Sequence, residues 1–149
     1  MINNSIKTTK LHLERLKKAK EEIITNNILE NIDIDDFETV KTIDTFVFRY
    51  IKLQDYLGNK LFRFFLNEIG EYKENMSFID ILDRLEKLEI ISDVEEWKEI
   101  RELRNKIAHE YPEELEEIKL YIKLAMDYLS EIEDVVTNIE EYLKKRNII

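Results

Sequence analysis

Apolar residues recur at helical spacing along nearly the whole chain, and almost nothing interrupts them. Two glycines and one proline stand among 149 residues, and Leu, Ile, Glu and Lys dominate between them. So few turn-forming residues cannot fold a set of β-strands back on one another. The chain is therefore confined to an all-α fold, an antiparallel helical bundle with short connections. With 44% hydrophobic and 38% charged residues it can form a core, and its length suits one helical domain over 1–149.

About five helices are legible. The first, from about Ser5 to Thr25, sets Leu13, Leu16, Ala19 and Ile23 on one face. Lys7, Lys10, Arg15, Lys17, Lys18 and Lys20 occupy its other face, and the polar stretch from Asn26 to Asp33 reads as a loop. The second and longest runs from about Asp35 to Ile69, with Asp35 and Asp36 placed to cap it and oppose its dipole. Its apolar face comprises Val40, Ile43, Phe46, Val47, Tyr50, Leu57, Leu61, Phe64 and Phe65. Gly58 interrupts that face at a cost of roughly 1 kcal/mol and marks a bend or a close approach. Ser77 and Asp80 form a capping-box pattern before Phe78, Ile81, Leu82 and Leu85. Ser92 and Glu95 repeat the pattern before Trp97, Ile100, Leu103 and Ile107. Pro112, a favoured first-turn residue, opens the last helix, which ends near Lys145. The second and last helices are expected to form the backbone of the bundle. Phe46, Phe64, Phe65, Phe78 and Trp97 are expected in its core.

The chain has no cysteine, so disulfides and thiolate metal sites are excluded. No secretory leader or membrane-length apolar stretch is legible, and a cytoplasmic protein is expected. A formal net charge of -10 argues against non-specific nucleic-acid binding and leaves that role to a local basic patch.

One such patch lies on the second helix. Arg49, Lys52, Tyr56, Lys60 and Arg63 fall within an arc of roughly 80° on an ideal helix, with Asp44 and Asp55 off the stripe. Four cations flanking an aromatic ring can follow an RNA backbone while the ring stacks on a base. The same stripe can equally be a solvated face whose cations pair with glutamates elsewhere. The first-helix lysines and the tail Lys144-Lys145-Arg146 are competing basic clusters.

The run with most chemical content is Arg104-Asn105-Lys106-Ile107-Ala108-His109-Glu110-Tyr111, which stops at Pro112. It sets a permanently charged guanidinium, an imidazole and a phenol in the last turns of a helix. RNA carries its own nucleophile, the 2′-hydroxyl. An imidazole can move the proton, a guanidinium can steady the charge on phosphorus, and the step requires no metal or other cofactor. On an ideal helix Arg104 and His109 lie about 140° apart. Pro112 disfavours helical geometry at Tyr111, so the helix should fray near His109. Asn105, four residues before His109, shares its face and can orient the ring or bind phosphate. One chain supplies one suitable imidazole, since His12 is far away in sequence. A two-fold dimer would supply two. A plainer role is also open: these side chains can cap helix carbonyls or pair with Glu102, Glu110 or Glu113.

Arg-x4-His-x-Tyr resembles the signature of the HEPN superfamily, and specifically of its HepT-type toxins. The stretch Thr45 to Phe62 is similar to the second-helix region of that group. The resemblance implies a four-helix core. It also implies a metal-independent endoribonuclease acting as a homodimer, with Arg104 and His109 as catalytic residues and Asn105 supporting them. It further implies a type VII-like toxin–antitoxin pair, with an MNT-type nucleotidyltransferase as antitoxin. That partner would attach AMP to Tyr111, and the bulky negative adduct would block RNA. The alternative within the same resemblance is a non-catalytic, substrate-binding helical partner of a minimal nucleotidyltransferase.

Overall fold

The structure is a computed structural model that describes residues 1–109 and 114–149. Helix α1 spans Ile2–Thr25, α2 Phe37–Tyr56, a π-helical turn Leu57–Leu61, and α3 Phe62–Glu68. Helices α4 Phe78–Lys87, α5 Val94–His109 and α6 Leu115–Lys145 complete the order. Leu57, Leu61 and Phe62 keep right-handed helical angles, so α2, the π turn and α3 form one unbroken rod. The chain is thus an all-α antiparallel bundle of five helical rods, without strands among the described residues.

Local chemistry sets the helix ends. Asp36 caps α2 by accepting from the Thr39 amide and hydroxyl at 3.3 and 2.7 Å. Ser77 and Asp80 make the full capping box of α4, each side chain accepting from the other's amide at 3.1 and 3.0 Å. Helix α5 differs from the expected Ser92 start. Asp93 is the capping side chain, accepting from the Glu95 amide at 3.0 Å, while Glu86 takes the Val94 amide at 2.8 Å. Two carboxylates thus satisfy two of the orphan donors of that helix and oppose its positive end.

One hydrophobic core draws on every rod, with Phe46, Tyr50, Phe62 and Phe65 at its centre and Trp97 buried beside them. Phe64 and Phe78 pack against its edge, half-buried. The buried Tyr50 hydroxyl donates to the Ile100 carbonyl at 3.3 Å, tying α2 to α5. Burial first, and the nearby Tyr128 second, push that phenol far above its ordinary range, so it stays a donor. The main packing partner of the second rod is α1. Helix α1 lies against α2, the π turn, α3 and α6, and α6 meets the second rod through the edge-to-face pair Phe65–Tyr142 at 5.3 Å. The small Ala19 among Leu13, Leu16 and Ile23 lets two backbones approach closely there.

The π turn has a direct packing cause. The Phe62 amide bonds to the Leu57 carbonyl, five residues back, so both side chains face the core. Phe62 then packs on Trp97, with ring centroids 5.3 Å apart and the planes tilted by 58°. Gly58 sits where no side chain fits easily: a Cβ there would lie 3.1 Å from the Arg101 guanidinium and 3.2 Å from the Phe78 ring. Close approach, rather than a bend, explains that glycine. Among the described residues no helix is long and apolar enough to cross a membrane.

Candidate nucleic-acid interface

Helix α1 delivers His12 to the basic face of α2, where its ring lies 5.6 Å from that of Tyr56. Around this contact opens a shallow cavity of about 370 Å³. Arg49, Lys52, Tyr56 and Lys60 of the predicted stripe all line it. His12, Phe48, Asp55 and Asn59 line it as well, none of them anticipated there. Arg63 does not. It donates to the Tyr72 hydroxyl at 3.0 Å and lies over that ring at 5.9 Å. The π turn accounts for the split. One extra residue in a turn rotates everything after it by about 100°, carrying Arg63 off the line that an ideal helix draws.

Three lysines of α1 are engaged by carboxylates. Lys10 pairs with Glu140 at 2.8 Å, Lys17 with Glu133 at 2.9 Å and Lys18 with Glu14 at 3.2 Å. None of the salt bridges among the described residues takes Arg49, Lys52 or Lys60. The side chains of Arg49 and Lys52 instead lie over the Phe48 ring, at 5.2 and 5.5 Å, and that ring is 50% exposed. At the C-terminal tail, Arg146 folds onto Tyr142 at 3.5 Å and bonds to its carbonyl. Lys10, Lys17 and Lys18 of α1 and Arg146 of the tail are thus engaged within the fold, whereas Arg49, Lys52 and Lys60 enter no salt bridge among the described residues.

Arg104 reaches Asp55, on the wall of this cavity, from α5. Its Nε donates to Oδ1 of Asp55 at 2.8 Å and its Nη2 to Oδ2 at 3.0 Å. An ideal helix puts Asp55 off the stripe; in the structure it lines the cavity, held by Arg104. Of the acidic partners that the sequence offers, Glu102 instead pairs with Lys106 at 3.8 Å. The remaining edge of Arg104 donates from Nη1 to Asn105 Oδ1 at 3.3 Å, so Asn105 acts first on the guanidinium. Helix α5 stays helical through His109, which is exposed, while Arg104 is half-buried against α2. The angular separation of about 140° therefore persists, and one helix does not aim both groups at one point. Tyr111, Glu110 and Pro112, with the fraying expected there, lie outside the described residues.

His12 is the functional candidate that spacing alone could not find. Its Nδ1 is buried without a hydrogen-bond partner. Burial, then the positive Arg49, Arg15 and Lys52, hold its imidazole below the ordinary range, so it is neutral at neutral pH. A neutral ring keeps an acceptor nitrogen, which can meet an N–H of a ligand. Together the cavity offers cations for phosphate, aromatic faces for a base and an amide from Asn59 for polar edges. No group of three or more imidazole and carboxylate ligands suited to a metal occurs among the described residues. Comparison of the chain with family models, with curated proteins and with solved structures finds no match.

Proposed function

We propose that this protein is a metal-independent endoribonuclease toxin of a type VII-like HEPN/MNT toxin–antitoxin pair. Arg104 and His109 are its catalytic groups, and two copies of the chain supply a composite site. The observation that carries this reading is the bond of Arg104 to Asp55, a lining residue of the cavity that also holds Arg49, Lys52 and Lys60. The motif arginine and the cavity cations, 44 residues apart at their nearest (Arg104 and Lys60), are linked through Asp55, which bonds to Arg104 and lines the cavity. A single RNA strand lying along it would present a phosphate to the guanidinium. The exposed His109 would act on RNA held by the partner copy, as base for the 2′-hydroxyl or acid for the leaving oxygen. AMP added to Tyr111 by a nucleotidyltransferase would add a bulky negative group that opposes RNA binding.

A second reading draws on the same contact. Asp55 occupies two donors of Arg104, as it would in a residue that only ties α5 to α2. The chain would then be a non-catalytic, substrate-binding partner of a minimal nucleotidyltransferase.

Expression of the wild type and His109→Ala without a partner separates the two. The wild type should arrest growth and degrade cellular RNA. The variant should do neither and should melt at the same temperature, since His109 is exposed. Toxicity that persists in the variant would remove His109 from catalysis. A folded wild type that the cell tolerates fully would favour the binding partner.

A further inference from the structure

We propose that the cavity between α1 and α2 is a subsite for one nucleotide unit of single-stranded RNA, its base held by His12, Tyr56 and Phe48 and its phosphate by Arg49, Lys52 and Lys60. The inference rests on the reading that this protein acts on RNA, and it adds a residue and a mode of recognition that this reading does not contain.

Three observations point the same way. The first is charge. In a chain of net charge -10, three cations line one cavity and none enters a salt bridge among the described residues. Cations left without carboxylates around a hollow are arranged for an anion from outside. The second is the aromatic surface. Phe48 is half exposed at the rim, with Arg49 and Lys52 over its ring, and it contributes nothing to the core. The tilted His12–Tyr56 pair adds two more ring faces on the wall. Inorganic phosphate alone would have no use for these faces, whereas a base stacks on them. The third is the polar detail. The Nδ1 of His12 is buried without a partner, and Asn59, exposed, lines the same cavity, so the Asn59 amide offers both a donor and an acceptor for the edge of a base. The size agrees: about 370 Å³ falls within the range of small-ligand sites, near its lower end. Asp55 is the one carboxylate on the wall, and Arg104 offsets its charge.

A base in this cavity would set the register of the strand. The next phosphate along the chain would then lie toward Arg104, on the Asp55 side. His12 is accordingly a binding residue that positions RNA, not a second proton donor.

The test uses the full chain carrying His109→Ala, so that RNA survives, and a 5′-labelled single-stranded RNA of about ten nucleotides read by fluorescence anisotropy. An abasic oligomer with the same number of phosphates is the second probe. His12→Ala, Tyr56→Leu and Phe48→Ala should each weaken RNA binding between about fivefold and a hundredfold. They should leave the abasic oligomer nearly unaffected, whereas Lys52→Glu should weaken both. Circular dichroism melting checks the fold, and Phe48, exposed and outside the core, keeps the test valid if another variant unfolds. RNA binding equal to the parent in the folded aromatic variants would overturn the subsite and leave the ribonuclease reading in place. A parent that binds neither probe would overturn both. Displacement of RNA by an acidic peptide as well as by unlabelled RNA would assign the cavity to protein carboxylates and overturn base recognition.

Discussion

Arg104 grips Asp55 with two near-parallel hydrogen bonds, at 2.8 and 3.0 Å, across the gap between α5 and the π-turned rod. The carboxylate thereby fixes the guanidinium plane at the cavity edge and lowers the positive potential there. Orientation of the guanidinium and its pull on an outside anion are thus in opposition at one residue. Asp55→Asn should cost about 1 kcal/mol of stability, as expected for a partly exposed, bidentate pair. It should also tighten RNA binding, since a charge repelling phosphate is lost. Urea unfolding of both single variants and of the pair with Arg104→Gln measures the coupling. Additive losses would mean that the two side chains merely sit together.

Gly58 makes a sharper point about packing. In an open helix, Gly→Ala gains about 1 kcal/mol. Here the added Cβ would press on the Phe78 ring at 3.2 Å and on Arg101, which itself stacks over that ring at 4.1 Å. Gly58→Ala should therefore yield none of the usual gain. Gly58→Leu should cost about 1–3 kcal/mol through overpacking. Truncating Phe78 to Ala should restore the benefit of Gly58→Ala, a reversal visible in chemical denaturation. A plain gain of helical stability in Gly58→Ala alone would show that the neighbours yield freely.

Glu96 on α5 and Glu131 on α6 lie close enough to share a hydrogen bond, which two ionised carboxylates cannot form. That bond first, then burial and the charges of Glu131, Asp93 and Glu99, push Glu96 from 4.5 up to about 7. The folded chain thus holds a proton that the unfolded chain releases near pH 4.5. The stabilising contribution is full below about pH 4.5 and is lost as pH rises through about 7. Glu96→Gln keeps a donor for Glu131 and has no proton to lose. Its melting temperature relative to wild type should therefore rise between pH 5 and 8, where about 4.5 to 7 is the titrating window. A constant difference across that range would place the Glu96 titration at its ordinary value.

Much of this architecture is legible because its causes are local. The Ser77–Asp80 capping box and the apolar periods of α1, α4 and α5 depend on residues a few positions apart. What escapes sequence reasoning depends on contacts between distant segments. The neighbours Ser92 and Asp93 are both good caps, and the Glu86 carboxylate from the preceding helix helps decide between them. No local signal marks the π turn, which follows from burying Leu57 and Phe62 together, so an ideal helical wheel misplaces Arg63 and omits Phe62 from the core. His12 joins Tyr56 only through the packing of α1 on α2. Arg104 is evident as a chemical group from its motif, but its partner Asp55 is not, because pairing across α5 and α2 has no spacing rule.

The salt dependence of RNA binding discriminates between the basic clusters. Each phosphate contact made by a cation releases counterions, contributing about 0.7 to the slope of log affinity against log salt for a single strand. If Lys52 and Lys60 hold phosphates, Lys52→Glu with Lys60→Glu should lower the slope by about 1.4 and weaken binding at every salt concentration. The paired lysines of α1 provide the control. Lys10 and Lys17 already neutralise Glu140 and Glu133, so Lys10→Glu with Lys17→Glu changes net charge by the same amount without removing a free cation from the cavity. That control should weaken binding through long-range repulsion, which salt screens, while its slope stays closer to the wild type. Arg63, turned toward Tyr72, should resemble the control when changed to Glu. Equal slopes for the cavity and α1 pairs would mean that RNA senses only overall charge, and the cavity would lose its claim to the strand.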